Sequence, residues 1–208
     1  MMKGRLLIIG ASGHGRVAAD CALASKRWSN IVFFDDRWPA LDRNLIWPVI
    51  GKVDAIETCA RDGDETFVAI GHAPTRLALL SRFRKGSMRI ATIIHPHASV
   101  SSETKVDFGT IVVSGAVVNI GTTIGPGCII NTGSSVDHDC VLDEGVHVCP
   151  GSRLAGDVHV GSQSWIGIGA SVRQGIRIGM NVMVGAGAAV VADVADGLTV
   201  VGVPARPR

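Results

Sequence analysis

The chain has no concentrated run of basic residues, no pair of cysteines at metal-ligand spacing and no apolar segment long enough to cross a bilayer, and each absence removes a class of function. Twenty Lys and Arg against eighteen Asp and Glu leave a formal net charge of +2. Nucleic acid and anionic membrane surfaces are therefore poor candidates as partners. Five cysteines, an odd number without zinc spacing, argue against a disulfide framework and indicate a reducing compartment, so a cytoplasmic protein is expected. The apolar start Leu6-Leu7-Ile8-Ile9 is too short for a signal-peptide core or a membrane span and reads as a buried strand.

What is present in abundance is a period. From Ile94 to Val190 every sixth residue is Ile, Leu or Val, seventeen in succession (Ile94, Val100, Val106 and so on), in a chain only 47% hydrophobic. Four residues behind each runs a second series of small or β-branched residues, including Ala98, Thr104, Thr110, Ala116, Cys128, Cys140 and Ser152. A period of six suits neither a helix of 3.6 residues per turn nor an amphipathic hairpin. It suits a coil of three short faces joined by three turns, one aliphatic residue per face pointing inward, which is a parallel β-helix of hexapeptide repeats. Cys128 and Cys140 fall in the small slot and read as buried hydrophobes rather than nucleophiles or ligands. Gly121, Gly125, Gly127, Gly151, Gly161, Gly167, Gly169, Gly175, Gly179, Gly185 and Gly187 are placed mainly at turns, where a positive φ costs glycine nothing.

The repeat leaves roughly ninety residues ahead of it, enough for one small α/β unit. Two domains follow: a Rossmann-like unit over residues 1–92 and a β-helix with a C-terminal tail over 93–208. In the first, Leu6–Ile9 precedes Gly10-Ala11-Ser12-Gly13-His14-Gly15, and a helix follows with Val17, Cys21 and Ala24 on one side. A second strand, Ile31 to Phe34, ends in Asp35-Asp36; a third, Phe67 to Ile70, ends in Gly71-His72, with a helix from Pro74 leading towards a further strand in Met88 to Ile94. The glycine loop between strand and helix can receive a phosphate on backbone N–H groups. Its spacing is G-x-x-G-x-G, not the dinucleotide G-x-G-x-x-G, so a nucleotide or nucleotide sugar is favoured over NAD or a purely structural turn. Asp35 lies about twenty residues on, where a carboxylate meets a ribose hydroxyl. His14 is either a ligand contact or a helix-start hydrogen bonder. Trp38-Pro39 and Trp47-Pro48 mark a loop-rich stretch whose tryptophans either cover a base or pack on the sheet, the latter being the plainer reading.

A β-helix buries its aliphatic columns, so chemistry must come from turns and outward positions. His138 stands out among the histidines of the repeat because carboxylates flank it in Val136-Asp137-His138-Asp139-Cys140. A carboxylate on one ring nitrogen fixes the tautomer and raises basicity from about 6.5, giving a competent general base near neutrality. Asp137 and Asp139 are equally eligible on spacing alone.

Gly-Ala-Ser-Gly-His-Gly after the first strand, Asp35-Asp36 after the second, Ile94-His95-Pro96 at the junction, Asn131-Thr132 ahead of Asp137-His138-Asp139-Cys140, and Gly202-Val203-Pro204-Ala205-Arg206 at the end together resemble the bacterial sugar O- and N-acyltransferases. The resemblance covers essentially the whole chain. It is closest to the N-acetyltransferases acting on nucleotide-linked 4-amino-4,6-dideoxy sugars of the bacillosamine and perosamine type, with the sialic acid O-acetyltransferases further off. It implies a left-handed β-helix, a homotrimer, and acetyl-CoA as donor without a metal. It further implies His138 as catalytic base with Asp139 as its acidic partner, where close relatives commonly have Glu, and Asn131 near the acceptor amine. His147 is implied at the acetyl group, Ile168, Gly185 and Ala186 along the pantetheine, and Ser12, Gly13, His14, Asp35, Asp36 and Gly71 in the nucleotide-sugar pocket. A UDP-linked amino sugar is the first expectation for the acceptor, with a GDP-linked sugar or a sialic acid hydroxyl as alternatives. Two readings of other classes compete: a zinc hydrolase on the same scaffold, which requires a close histidine pair where His138, His147 and His159 are spaced by nine and twelve, and a non-enzymatic trimeric scaffold that binds nucleotide sugar.

Overall fold

The computed structural model describes residues 4–208, which divide between His95 and Pro96 into two compact units. In the first, β1 (Arg5–Ile9) leads to α1 (Gly13–Ser25) and β2 (Asn30–Phe34); β3 (Arg43–Asn44) and β4 (Trp47–Gly51) follow, then the short α2 (Ile56–Cys59), β5 (Glu65–Val68) and α3 (Ala73–Lys85). The sheet order is β3-β4-β2-β1-β5, with β4, β2, β1 and β5 parallel and β3 antiparallel to β4. Leu6 to Ile9 and Ile31 to Phe34 are buried throughout, as strands covered on both faces must be. The chain leaves β2 on one side of β1 and returns with β5 on the other. The loops after β1 and β5 therefore flank a topological switch point, where open α/β sheets bind ligands.

Three local expectations are corrected. Trp47-Pro48 is not loop but the start of β4, and Trp47 packs edge-on against Phe33 at a 6.3 Å centroid distance, the plainer of its two readings. Val17 and Ala24 face solvent, because α1 presents Gly15, Ala18, Ala19, Cys21 and Ala22 inward. Small residues let the helix lie close to the sheet: a Cβ on Gly15 would collide with the Gly10 carbonyl and reach within 2.9 Å of the Phe33 ring. The strand expected within Met88 to Ile94 shrinks at its start to a single parallel bridge, Thr66 to Ile90.

The second unit is a left-handed β-helix of two-residue strands, an exception to right-handed crossovers. Its first face stacks Ser99–Val100, Val117–Val118, Ser135–Val136, Arg153–Leu154, Ser171–Val172 and Ala189–Val190. The second stacks Lys105–Val106, Thr123–Ile124, Val141–Leu142, His159–Val160 and Arg177–Ile178. The third carries Ile111–Val112, Ile129–Ile130, His147–Val148, Trp165–Ile166, Met183–Val184 and Thr199–Val201, ending on the antiparallel Arg206–Pro207. Parallel pairing joins residues eighteen apart, as in Ser135 with Arg153, so three hexapeptides make one coil. Both periodic series point inward: Val118 to Val190 and Ala116 to Ala188 form one core. Each large aliphatic there contributes roughly 1.5–3 kcal/mol. Ile94 departs from the pattern and is 37% exposed, since no coil precedes it. Cys128 and Cys140 are fully buried, their thiols donating to the carbonyls of Asp143 and Ala155.

The glycines separate into two groups, which the turn argument alone did not distinguish. Every sixth residue from 109 to 187 has positive φ: glycine at ten corners, and Asp139, Asp157, Gln163 and Asn181 at the other four. Gly125, Gly161, Gly167, Gly179 and Gly185 lie outside that set. At Gly161, for example, a Cβ would come 2.6 Å from the backbone of the next coil, so the reason for glycine is close approach rather than φ.

Candidate active site

At the carboxyl end of the first unit's sheet, the sequence-predicted nucleotide-sugar residues assemble around the loop after β1. Gly10 has φ +97° and Gly15 admits no Cβ, so both are demanded by the fold; Gly13 has open space where its Cβ would stand. Ser12 caps α1 in an extended conformation with no side-chain cap hydrogen bond, and the Asn44 side-chain amide donates to its carbonyl at 3.3 Å. Gly71, between β5 and α3, is likewise open at its Cβ position. Asp36 accepts the Val53 N–H at 3.1 Å.

Asp35 reaches this edge but is engaged within the chain. One oxygen accepts the Ala11 N–H at 2.8 Å, and Arg37 grips the carboxylate in bidentate fashion, Nε and Nη2 both at 2.8 Å. The Arg37 guanidinium lowers its pKa to about 2. The carboxylate thus ties β2 to the glycine loop. His14 is turned inward; burial, helped by the charge of Arg76, pushes its pKa down to about 4, so the ring is neutral. Its Nε2 is buried without a hydrogen-bond partner. Arg76, fully buried, donates to the carbonyls of Ile70 and Gly71 at 2.7 and 2.8 Å. Arg37, Asn44 and Arg76 organise the loop and were not singled out in the sequence, for they lie outside any motif.

In the β-helix, the choice between the two carboxylates beside His138 is decided by geometry. His138 Nδ1 is 2.8 Å from Asp139 Oδ2, whereas Asp137 faces away, accepting from the Asn119 side chain at 2.7 Å and from the His138 backbone N–H at 2.9 Å. The hydrogen bond to Asp139, with the charges of Asp137, Asp139 and Asp157, raises the His138 pKa above 6.5. Asp139 holds this place in the left-handed region, φ +59°, at a corner position that Gly121 and Gly175 fill in two other coils; such a conformation costs a non-glycine residue about 1–2 kcal/mol, and Asp is among the residues that tolerate it. With Nδ1–H donated to Asp139, the ring's in-plane lone pair lies on Nε2.

The remaining expected residues gather at a different corner. Asn131, Ile168, Gly185 and Ala186 follow strands of the third face, and Asn131 Nδ2 lies 3.1 Å from Nε2 of His147, whose ring meets Trp165 edge-on at 4.1 Å. Asn131 is therefore beside His147 and not beside His138, which sits between the first and second faces. Ile168 is 61% exposed, an apolar side chain offered to solvent at this corner. His159 stands apart on the second face, 3.2 Å from Asp143. Among the described residues, no three His, Cys, Asp or Glu side chains are grouped to hold a metal ion.

Residues 5–83 match the PglD N-terminal domain family. The acetyltransferase domain of PglB from Neisseria gonorrhoeae, solved with acetyl coenzyme A, is 38% identical over 99% of this chain and 100% of that one, with a TM-score of 0.96. The chain belongs to the bacterial nucleotide amino-sugar acetyltransferases of the hexapeptide-repeat family, which use acetyl-CoA. PerB from Caulobacter crescentus, in complex with CoA and GDP-perosamine, is 36% identical over 99% and 97% of the two chains with a TM-score of 0.91. WeeI from Acinetobacter baumannii is 26% identical over the full length of both, with a TM-score of 0.88. Membership of this family sets aside the zinc-hydrolase and scaffold readings. No helix among the described residues is long and apolar enough to cross a membrane.

Proposed function

We propose that the chain transfers the acetyl group of acetyl-CoA to the 4-amino group of a UDP-linked 4-amino-4,6-dideoxy sugar, with His138 as general base. The observation that carries the chemistry is the 2.8 Å contact between His138 Nδ1 and Asp139, which fixes the tautomer that leaves Nε2 basic. The amine nitrogen attacks the thioester carbonyl while Nε2 removes its proton. The tetrahedral oxyanion collapses with cleavage of the C–S bond, and the departing sulfur receives the proton from His138. A positioned amine is nucleophilic enough to need no covalent enzyme intermediate. The loop of Ser12, Gly13 and His14, with Asp35, Asp36 and Gly71, is assigned to the nucleotide sugar, the first domain (residues 1–92 as read from sequence) serving the acceptor and the β-helix the transfer. UDP is retained from the sequence resemblance; GDP is the second reading, because PerB, 36% identical, was solved with GDP-perosamine. Turnover with matched UDP- and GDP-linked 4-amino sugars tests the choice: a lower kcat/KM for the UDP sugar rejects it.

Asp139→Asn keeps a residue tolerant of the left-handed corner while removing the charge. The folded pKa of His138 is raised by that charge, and the neutral ring is the active form. In the variant the acidic limb of the kcat/KM profile should move to lower pH, and kcat should fall by ~10²-fold or less. A pH–rate profile checks this. A more damaging effect of Asp137→Asn would reverse the assignment of the partner.

The protein is further proposed to be a cytoplasmic homotrimer. None of the five cysteines is joined in a disulfide, which suits a reducing compartment. In one chain the His138 and Asp139 side chains are 56% and 67% exposed, and the corner bearing Ile168 and Ala186 is separate from theirs, so a neighbouring subunit is needed to bring a base and a cofactor corner together. Light scattering should give three times the chain mass of 21.7 kDa; a monomer at working concentration would refute the assembly.

A further inference from the structure

We infer that Gly156 is a positioning residue for the transfer, the space left by its missing side chain being the seat that holds the His138 imidazole. It follows His138 by eighteen residues, one coil along the same corner, where the Asp157 N–H donates to the His138 carbonyl at 2.9 Å. A Cβ placed on Gly156 would stand 2.5 Å from both Cε1 and Nε2 of His138 and 3.1 Å from Cδ2, and these are its three nearest atoms. Gly156 is not among the residues of positive φ. Alanine therefore suits its backbone, and the obstacle is the ring. One coil back, a Cβ on Gly121 would collide with Asp139 Oδ1. Glycines in both flanking coils thus clear room for the two members of the pair, one beneath the carboxylate and one against the imidazole face.

The consequence is specific to the reacting nitrogen. To restore ordinary contact, the ring must retreat by roughly an ångström, which moves Nε2 and loosens the alignment of Nδ1 with Asp139. Misplacement of that size costs on the order of 10²-fold in rate. The charged groups that act on the imidazole are Asp139, hydrogen-bonded to it, and Asp137 and Asp157, which act through their charge alone; displacement changes its distance from all three.

The catalytic part of this inference rests on His138 being the base, and the experiment separates the two. In Gly156→Ala, kcat should fall by about 10²-fold with KM for acetyl-CoA within about twofold, and the His138 imidazole signal, assigned by its loss in His138→Asn, should show a displaced NMR titration midpoint. Gly156→Ala added to His138→Asn should slow turnover no further, since it acts through the ring. Unchanged kcat with an unchanged His138 titration would overturn the inference, as would an equal slowing in the His138→Asn background. If His138→Asn itself kept full activity, the base assignment would fail while the titration in Gly156→Ala still decided the seat. Should Gly156→Ala prove unstable, His138→Ala combined with it should recover the melting temperature by vacating the space; failure to recover would contradict the inference.

Discussion

Replacement of His138 by Asn should lower kcat by about 10²–10⁴-fold, the contribution of a positioned general base, and leave acetyl-CoA affinity nearly unchanged. The side chain is more than half exposed and makes its side-chain contact with Asp139, so its removal opens no cavity and should not shift stability measurably. The loss therefore reports chemistry rather than folding. Steady-state kinetics with both substrates, alongside acetyl-CoA titration calorimetry, checks the separation: a fall in kcat and kcat/KM together indicates a group acting in the transition state. A weakened acetyl-CoA affinity with kcat intact would make His138 a ligand contact instead.

A bulky side chain at Gly13 should raise KM for the nucleotide sugar by about 10–100-fold, because two or more backbone hydrogen bonds of roughly 1 kcal/mol each would be blocked. The position is suited to the test, since nothing lies within 4 Å of where its Cβ would be. Gly13→Leu should thus fold normally, unlike substitutions at Gly15, which would strike the Gly10 carbonyl. Acetyl-CoA binding should be untouched, with some loss of kcat if remote binding energy helps to position the amine. A folded Gly13→Leu protein that binds the sugar nucleotide normally and loses acetyl-CoA would move the cofactor site to the first unit and dismantle this division of labour.

The β-helix was legible because its constraint is local and repeated. Each coil must fill the same interior slots, so the period of six appears directly in Val118, Ile124, Ile130 and their successors. The edges of that pattern were less legible. Ile94 satisfies the period yet has no coil before it, and Gly161 and Gly167 look like turn glycines although the next coil's backbone is what excludes a side chain there. In the first unit, the glycine loop and the ends of β1 and β2 followed from strand–turn–helix order, whereas β5 spans Glu65–Val68 and stops short of the expected Ile70. Strand β4 did not, because Trp47-Pro48 carries turn-like signals and only pairing with β2 shows its state. Asp35 was legible in position but not in engagement, since Arg37 two residues on has no motif that announces it. The partner of His138 was undecidable from spacing, as Asp137 and Asp139 are both adjacent; the backbone of the corner, which turns one towards the ring and the other towards Asn119, made the choice.

Acetyl transfer from acetyl-CoA to the 4-amine of a nucleotide sugar is measured by incubating the full chain with acetyl-CoA and a UDP- or GDP-linked 4-amino-4,6-dideoxy sugar and following thiol release and the sugar's mass together. The sugar should gain one acetyl group for each CoA released, a transfer lost in His138→Asn. Failure to acetylate either nucleotide's amino sugar, or CoA release without an acetylated sugar, would contradict the proposed transfer.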